Sequence, residues 1–275
     1  MKRSTEPQGT VVLTGASSGL GRALAHRLGE TGCTVAVVAR RQEALAELSA
    51  AIGSNVVPVP LDLSEPQVAE RLEAALAAVG IMPEAVELLI NNAALGSFGH
   101  FVETDPDRLT MMQRMNVQVP MELSRWIAPY MVRRGSGTIA NVASVAAFSP
   151  GPLMSEYYAD KAWMLAFTQS LDAELRPRGV RVCTVCPGPF ESGFHTGAGM
   201  DRSRLGTLPS AASVAGRALR AILRGRTVAP IGVGAWVWAV VGPRLPWRLS
   251  RSIMYRLQRR RLKGSGAGES PAQSP

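Results

Sequence analysis

Thr14-Gly15-Ala16-Ser17-Ser18-Gly19-Leu20-Gly21 follows the apolar, β-branched run Thr10-Val11-Val12-Leu13 near the start of the chain. Apolar residues then recur at helical spacing over 22–28, so the segment predicts a strand, a tight turn and the start of a helix. This geometry presents free backbone N–H groups to the phosphates of a dinucleotide. We predict that Gly15 lets the chain leave the strand, Gly19 admits phosphate close to the backbone, and Gly21 lets the helix pack on the sheet. Taken alone, the loop is also compatible with a purely structural turn.

Apolar runs typical of strands alternate with helix-like segments along the rest of the chain. We predict strands at 10–13, 35–38, 55–59, 86–90, 137–143, 180–185 and 227–231, and later helices at 42–52, 65–79, 105–134, 155–176 and 211–224. Continuous apolar strands of this kind are buried on both faces of a parallel sheet. The sequence therefore predicts an α/β fold, a doubly wound Rossmann-type parallel sheet of about seven strands with helices on both faces, with ligands at the carboxyl ends of the strands.

The chain has 275 residues, which is enough for a single α/β domain with a large buried core. We predict that residues 9–231 form a dinucleotide-binding catalytic domain, in which 190–209 is a substrate lid rich in Gly and Ser. Residues 232–263 follow as an apolar and then basic amphipathic C-terminal extension. The polar ends, 1–8 and 264–275, are predicted to be disordered tails.

The number of cysteines and the polar N-terminus indicate the cellular compartment in which the protein resides. Three cysteines fit a reducing environment, and residues 1–8 lack the apolar core of a signal peptide, so we expect a cytoplasmic protein. Cys183 and Cys186 form a C-x-x-C sequence, but they lie on a predicted strand and no further cluster of Cys or His accompanies them. We therefore expect both to have packing roles, and we predict no metal site.

The residues after the second predicted strand indicate which dinucleotide the loop prefers. A site for NAD typically carries an acidic residue there, about 20 positions beyond the glycine loop, to hold the ribose 2′-hydroxyl. This chain has Ala39 followed by Arg40 and Arg41, whose guanidinium groups suit the 2′-phosphate of NADP(H). The alternative is two solvated arginines at the start of a surface helix. Asp62, after the third strand, either accepts from the adenine amino group or caps a helix.

Three residues indicate the chemistry. Tyr157 and Lys161 are four apart in a predicted helix, so they share one face and the ammonium can lower the pKa of the phenol toward the working pH. Such a phenol can donate and accept a proton. Ser144 ends the fifth predicted strand, where its hydroxyl could hold a carbonyl oxygen beside the phenol. Asn116 lies among apolar residues of a long helix and, taken alone, is interpreted as structural.

These residues occur in an order that is typical of one family, together with Asn91-Asn92-Ala93 after the fourth strand and Pro187-Gly188 after the sixth. The chain resembles the classical short-chain dehydrogenases/reductases over roughly residues 10–189. In such enzymes the serine precedes the tyrosine by about a dozen residues. The separation of 13 between Ser144 and Tyr157 therefore selects Tyr157 over its neighbour Tyr158.

The resemblance implies a role for each of these residues. Tyr157 would be the proton donor and acceptor, Lys161 would lower its pKa and bind the nicotinamide ribose, and Ser144 would orient the substrate carbonyl. Asn116 would support a proton-relay water. With the two arginines and Asp62, the predicted cofactor-binding set is Gly15, Ser17, Ser18, Gly19, Leu20, Gly21, Arg40, Arg41, Asp62, Asn92, Ala93, Tyr157, Lys161, Pro187, Gly188 and Ser192. The family more often has Thr at the position of Ser192. It usually has Gly at the position of Ala94 and Ser at that of Ala143, and these two departures affect the shape of the loops but remove no reacting group.

The predicted function is an NADP(H)-dependent oxidoreductase that transfers a hydride between the nicotinamide and a lipophilic ketone, aldehyde or corresponding alcohol, in a homo-oligomer that is a dimer or tetramer. The expected substrate pocket is apolar and contains no Arg or Lys to hold a carboxylate. Its residues are Leu95, Phe98, Phe101, Ala146, Phe148, Leu153 and Met154. The alternative function is a non-catalytic NADPH-binding regulator or scaffold at a membrane surface, which the presence of Tyr157 and Lys161 disfavours.

The net charge of +9 is concentrated in the C-terminal extension, because 244–263 contains eight cationic and no acidic residues. The rest of the chain is nearly neutral, which argues against a nucleic-acid partner. Residues 227–243 are uncharged but too short and too interrupted by Pro and Gly to span a membrane. The helical face with Leu249, Ile253, Met254 and Leu257 is apolar, and arginines lie opposite. The extension either contacts the inner face of an anionic membrane through 244–263 or packs over the substrate lobe or a partner subunit.

Overall fold

The computed structural model of the protein describes residues 9–262, apart from the side chain of Arg202. The predicted disordered tails, 1–8 and 264–275, lie outside the described residues. The strands are β1 Thr10–Thr14, β2 Val35–Ala39, β3 Val56–Pro60, β4 Val86–Asn91, β5 Gly137–Val142, β6 Val180–Pro187 and β7 Val228–Ile231. The helices are α1 Gly19–Gly29, α2 Gln42–Ile52, α3 Val68–Ala78, α4 Pro106–Gln113, α5 Val119–Arg134, α6 Ser155–Leu175, α7 Phe194–Gly197, α8 Ala211–Leu223, α9 Val233–Val241 and α10 Trp247–Leu262.

The seven strands within residues 9–262 form one sheet in the order β3-β2-β1-β4-β5-β6-β7, and every neighbouring pair is parallel. The chain winds outward from β1 to β3, returns to the other side of β1 and then winds outward to β7. The strand order therefore reverses between β1 and β4, which is where open α/β sheets bind their ligands. This topology confirms the predicted doubly wound parallel sheet.

Two apolar layers enclose the sheet, because successive side chains of a strand point to opposite faces. Val11 and Leu13 of β1 pack in the layer that contains residues of α1, α2 and α8. Val12, between them, packs in the opposite layer with residues of α3 and α5. All three side chains are completely buried, so packing holds β1 rigidly on both faces of the sheet and its carboxyl end has a fixed position.

The two C-x-x-C cysteines fill the core, as the sequence predicts. Cys183 packs in the same layer as α1 and α8, whereas Cys186 packs with Met164 of α6 in a separate cluster. Both thiols are free, and burial raises the pKa of each to about 12, so both stay protonated. Among residues 9–262, no cluster of three or more His, Cys, Asp or Glu side chains could hold a metal ion.

Two predicted helices differ in the structure. The helix expected over 65–79 begins only at Val68, because the Asp62 carboxylate accepts from the N–H of Ser64, at 2.9 Å, and holds the preceding residues in a turn. The helix expected over 105–134 is divided into α4 and α5 by a π-helical turn at Arg114–Gln118. Asn116 lies inside this turn, and π turns of this kind are frequent at functional sites.

The C-terminal extension folds against the sheet domain. Trp238 of α9 donates from Nε1 to the Ser149 hydroxyl at 3.2 Å, which ties α9 to the loop after β5. In α10 the buried face contains Ser250, Met254 and Gln258. None of the helices described between residues 9 and 262 combines the length and the apolar character that a bilayer crossing requires.

The buried face of α10 differs from the predicted apolar face. Met254 is buried as expected, but Leu249, Ile253 and Leu257 are 48%, 40% and 41% exposed. The polar Gln258 takes the place of these residues in the interface, because its amide donates to the Tyr158 hydroxyl of α6 and accepts from Arg261, which offsets the loss of water. The extension thus contacts the sheet domain through both polar and apolar side chains of α10, and three of its aliphatic side chains remain partly exposed to solvent.

Candidate active site

The glycine loop has the crowding that the sequence predicts. Gly15 has a φ of +68°, and a Cβ on it would lie 2.7 Å from the Cα of Ala93. A Cβ on Gly21 would lie 2.2 Å from the carbonyl oxygen of Gly15. Real Cβ atoms do not approach backbone this closely, so both positions require glycine. The loop therefore brings the N-terminus of α1 to the crevice between β1 and β4.

Asn92 and Thr14 lock the end of β4 to this loop. The Asn92 side chain donates to the carbonyl of Thr14 at 2.9 Å and to that of Gly15 at 3.2 Å. The Thr14 hydroxyl in turn accepts from the backbone N–H groups of Asn92, at 3.0 Å, and Ala93, at 3.1 Å. These four bonds fix the carboxyl ends of two adjacent strands relative to each other, so the phosphate-facing backbone is preorganised.

Arg40 and Arg41 lie at the adjacent end of β2. Arg41 donates from Nη2 to the Ser17 hydroxyl at 3.2 Å, which places its guanidinium beside the glycine loop. Arg40 lies 3.7 Å from the Asp62 carboxylate, and its side chain is 72% exposed. Burial alone would raise the pKa of Asp62, but its hydrogen bonds with Ser64 and the Arg40 charge lower the pKa overall. Asp62 therefore caps a turn and carries a negative charge beside Arg40.

A single cleft of about 700 Å³ contains all of the predicted cofactor-binding residues, from Gly15 to Ser192. Its volume lies in the range of about 300–1,000 Å³ that is typical of small-molecule sites. The Ser192 hydroxyl is buried in the wall near Gly19 and has no hydrogen-bond partner among the described residues. An unpaired buried hydroxyl is costly, so a polar ligand group at this point would stabilise it. The guanidinium groups of Arg40 and Arg41, the N-terminus of α1 and this hydroxyl together fit the polar groups of a dinucleotide.

Ser144, Tyr157 and Lys161 meet in the same cleft, beyond the end of β5. Ser144 leads into a short 3-10 turn and accepts from the N–H of Ala146 at 3.2 Å, which fixes its side chain. Tyr157 and Lys161 share one face of α6, and the Lys161 ammonium lies 5.7 Å from the centre of the Tyr157 ring. Lys161 also donates to the carbonyl of Val142 at 2.9 Å. The structure thus brings together the three residues to which the sequence assigns chemistry.

The pKa of Tyr157 shifts in the opposite direction to the one expected. Burial raises the pKa of the phenol far above its ordinary value, and a hydrogen bond with Ser144 opposes the increase only in part. Burial also lowers the pKa of Lys161 to about 8, although the neighbouring Asp160 carboxylate raises it. The phenol of Tyr157 is therefore protonated near neutral pH, ready to donate.

Asn116 lies behind the cleft and has three hydrogen bonds. Its Oδ1 accepts from the N–H of Leu95 at 2.8 Å, and its Nδ2 donates to the Leu95 carbonyl at 2.9 Å and to Asp160 Oδ2 at 2.7 Å. The side chain thus holds the loop after β4 against α6, as the structural interpretation predicts. Burial raises the pKa of Asp160 to about 6, and the bond from Asn116 opposes that increase.

The predicted substrate lid lies against the catalytic residues. Phe194 of α7 contacts Tyr157, with 5.1 Å between the ring centres. Arg108 of α4 donates to the carbonyl of Gly96 at 2.6 Å and to that of Gly197 at 3.0 Å, so it joins the lid to the loop after β4. That this segment opens to admit substrate stays a prediction.

The substrate side of the cleft differs from the expected apolar pocket. Leu95, Ala146 and Met154 line it as predicted, whereas Phe98, Phe101, Phe148 and Leu153 are absent from the described lining. Arg108, Gln258 and Arg261 line it instead. Sequence reasoning missed these three, and it missed Asp160. The one available signal was Gln258, an uncharged amide four positions after Met254 and therefore on the same face of α10.

Comparison with known proteins identifies the family that has this arrangement. A family model described as short chain dehydrogenase matches residues 9–202. The chain belongs to the short-chain dehydrogenase family. A short chain dehydrogenase from Pseudocercospora fijiensis is 34% identical over 189 residues, which cover 66% of this chain and 60% of that protein. The chain thus spans less than two thirds of the length of that relative.

Two solved structures have the same fold over their whole length. A short-chain dehydrogenase from Sphingobium yanoikuyae in complex with NADPH has a TM-score of 0.74 at 30% identity, covering 97% of this chain and 99% of its own. A 3-ketoacyl-(acyl-carrier-protein) reductase from Brucella melitensis, complexed with NADH, has a TM-score of 0.72 at 26% identity, covering 82% and 96%. The family to which the chain belongs is thus one of dehydrogenases, and these two relatives carry different forms of the nicotinamide cofactor.

Proposed function

We propose that this short-chain dehydrogenase is an NADP(H)-dependent oxidoreductase that interconverts a lipophilic ketone or aldehyde and the corresponding alcohol. The observation that carries the proposal is the meeting of Ser144, Tyr157 and Lys161 with the glycine loop in one cleft. The loop and the N-terminus of α1 would hold the pyrophosphate, and Arg40 and Arg41 the 2′-phosphate. Pro187, Gly188 and Ser192 would border the nicotinamide, which supplies or accepts the hydride.

Each residue of the catalytic group then has a separate task. The Ser144 hydroxyl orients the substrate carbonyl, and its fixed position limits the poses that the carbonyl can take. Tyr157 donates its phenolic proton to the carbonyl oxygen during reduction and takes a proton from the alcohol during oxidation. Lys161 binds the ribose and stabilises the phenolate that forms. Asn116 keeps the loop at Leu95 in place and, we propose, supports a relay that returns the proton from solvent.

The lining of the cleft near Tyr157 supports a lipophilic substrate. Phe194 contacts Tyr157, and Met154, Met200, Leu95 and Ala146 add apolar surface to the same cleft. Apolar walls with a few fixed polar groups bind substrates mainly through desolvation, and the polar groups set the orientation. A carbonyl between Ser144 and Tyr157 with an apolar body along this wall is the pose that this surface favours.

The test is turnover. The full chain is incubated with NADPH and a panel of lipophilic aldehydes and ketones, and the NADPH absorbance is followed with time. We expect oxidation of NADPH that depends on both the protein and the carbonyl compound. A regulator or scaffold without turnover is the second candidate, and its distinguishing result is tight NADPH binding with no consumption across the panel.

We predict that Arg40→Ala combined with Arg41→Ala raises the KM for NADPH about tenfold to a hundredfold and leaves the KM for NADH nearly unchanged. The reason is that a charge-assisted hydrogen bond to phosphate contributes roughly 1.5–3 kcal/mol, and NADH has no 2′-phosphate. Initial rates with each cofactor, at saturating substrate, give both constants.

The matched control for this pair is Ser17→Ala. This variant removes the 3.2 Å contact of Arg41 but keeps both guanidinium charges, so we expect it to change the two KM values by a similar factor. Equal effects of the double arginine variant on NADPH and NADH would instead show that the arginines only begin α2 and face solvent.

We further propose that α9 and α10 place the protein at an anionic membrane surface within the cytoplasm. Both helices expose large apolar side chains: Val233, Trp236, Val237, Val240, Val241, Trp247, Leu249, Ile253, Tyr255 and Leu257. The guanidinium groups of Arg248 and Arg251 lie 5.4 and 4.9 Å from the Trp247 ring centre, so cations and an aromatic ring occur together as they do at membrane interfaces. Each such cation contributes about 1 kcal/mol at an anionic surface.

We predict that the full chain floats with phosphatidylglycerol-containing vesicles at low salt and not with neutral vesicles. Trp247→Ser, Leu249→Ser and Ile253→Ser together are expected to abolish flotation, because they remove exposed apolar area without touching the buried face of α10. The control is Phe101→Ser with Val102→Ser, which removes exposed apolar residues elsewhere.

Two other results would contradict membrane contact. One is a full chain that does not float with anionic vesicles and remains in the fraction of unbound protein. The other is a triple variant that changes the oligomer to a smaller species in light scattering, since the same surface would then be the contact between copies in the dimer or tetramer that we expect. We expect no nucleic-acid binding. A protein that binds DNA, and that DNA displaces from the vesicles, would contradict this expectation.

A further inference from the structure

The far wall of the cleft is built by α10, and two polar side chains occupy it. Gln258 is only 1% exposed, and its Nε2 donates to the Tyr158 hydroxyl at 3.2 Å. Its Oε1 accepts from Nη1 of Arg261 at 3.2 Å. Gln258 and Arg261 both line the same cleft as Tyr157. The helix therefore presents a guanidinium to the substrate side of the site through a chain of two hydrogen bonds.

Arg261 is half-buried in the wall of the cleft. Arg114, which is also partly buried, pairs with Glu122, whereas no carboxylate forms an ion pair with Arg261 among the residues that the structure describes. Burial lowers the pKa of Arg261, although the guanidinium stays charged. A half-buried cation without a counter-ion has lost hydration that its one hydrogen bond to Gln258 replaces only in part, so an anion in the cleft would stabilise it.

Arg108, the other arginine on the substrate side of the cleft, does not have this freedom. Arg108 donates from Nη2 to the carbonyls of Gly96 and Gly197, so its guanidinium is already bound to the lid and to the loop after β4. Arg261 uses one N–H for Gln258, and a guanidinium has five. Its remaining donors form the planar fork that matches a carboxylate.

The position of Arg261 relative to the catalytic residue limits the shape of a ligand that could use both. Tyr158 lies between them, because its hydroxyl meets Gln258 and its ring centre is 6.2 Å from that of Tyr157. Gly151 fixes this wall, since a Cβ there would lie 2.1 Å from the Tyr158 ring. A ligand that contacts Tyr157 and Arg261 together must pass over the Tyr158 ring with an apolar segment.

Building on the proposed function, we infer that the substrate is a lipophilic carbonyl compound or alcohol that also carries an anionic group, and that Arg261 is the residue that binds this group. The carbonyl lies at Tyr157, the apolar body lies along Tyr158 and Met154, and a carboxylate or similar anion accepts from the Arg261 guanidinium. Gln258 positions Arg261 and does not itself touch the reacting atoms.

The test compares matched substrates and matched variants of the full chain. A series of oxo-carboxylic acids of increasing length is paired with the methyl esters of the same acids, and kcat/KM with NADPH is measured for the wild type, Arg261→Gln and Arg260→Gln. Arg260 is the exposed neighbour in α10 and serves as the control for charge alone. We expect Arg261→Gln to lower kcat/KM about tenfold to a hundredfold for the acids, with little change for the esters and no change in Arg260→Gln.

A binding measurement that does not depend on turnover separates this inference from the proposed function. Calorimetry with a fatty carboxylate and its alcohol of equal length, in the presence of NADPH, is expected to show tighter binding of the carboxylate, which Arg261→Gln removes. Ester turnover with no preference for acids would overturn the inference and leave the proposed function intact. Carboxylate binding that is lost in Arg261→Gln, without turnover of any carbonyl compound, would support the anion site at Arg261 and count against the proposed function.

Discussion

Replacing Tyr157 with Phe is expected to reduce kcat by a factor of about a hundred to ten thousand, which is the usual contribution of a positioned general acid. The variant keeps the ring that contacts Phe194 and faces the Lys161 ammonium, so the shape of the cleft is preserved. Only the transferable proton is lost. NADPH affinity, measured by fluorescence titration, is therefore expected to stay nearly constant while turnover collapses.

The adjacent tyrosine provides a matched control. Tyr158→Phe removes a hydroxyl from the same turn of α6 and costs one hydrogen bond with Gln258, yet it leaves the Tyr157 phenol in place. We expect Tyr158→Phe to retain kcat within about tenfold, since a single neutral hydrogen bond contributes roughly 0.5–1.5 kcal/mol. Comparable losses of kcat in the two variants would show that this turn of α6 tolerates no substitution. They would contradict the role of Tyr157 as the proton donor.

The pH dependence of the reaction follows from the raised pKa of Tyr157. Carbonyl reduction needs the protonated phenol, and burial keeps the phenol protonated well above neutral pH. Alcohol oxidation needs the phenolate, so its rate is expected to rise as the pH becomes more alkaline. Tyr157→Phe is expected to lose this dependence in both directions.

The fold was predictable because local and global signals agree along the chain. The β-branched runs at β1 and β2 and the glycine loop between β1 and α1 each favour the same parallel architecture. The four-residue spacing of Tyr157 and Lys161 also predicted that they share one face of a helix, and the family resemblance placed Ser144 beside them. Gly15 and Gly21 were predictable since only glycine fits where backbone meets backbone.

The remaining features depend on contacts between distant parts of the chain. The amphipathic pattern of α10 predicted a face with Leu249 and Ile253, but the partners on α6 decide which face is buried, and Gln258 finds Tyr158 there. The π turn at Asn116 likewise depends on Leu95 and Asp160. The pKa of Tyr157 could not be inferred from the four-residue spacing to Lys161 alone, because the spacing carries no measure of burial.

Replacing Lys161 with Met is expected to reduce both turnover and NADPH affinity, since one ammonium has two proposed roles. Met fills most of the volume of this fully buried side chain, whereas Ala would leave a cavity and confuse the result with a packing defect. We expect kcat/KM to fall by more than about a thousandfold, the combined loss of a cofactor contact and of the charge that stabilises the phenolate. Unaltered NADPH binding would leave Lys161 only its role toward Tyr157.

The stability of the Lys161→Met variant provides a second, independent readout. Burial lowers the folded-state pKa of Lys161 to about 8, below its ordinary value of 10.5, so the unfolded chain binds the proton more tightly between these two values. The free energy of unfolding of the wild type therefore rises as pH increases through this range, by an amount on the order of 3 kcal/mol. Lys161→Met is expected to lack this rise and to unfold at a higher temperature than the wild type near pH 7. A wild type and a variant whose melting temperatures differ by the same amount at every pH would show that the Lys161 ammonium titrates alike in the folded and the unfolded protein.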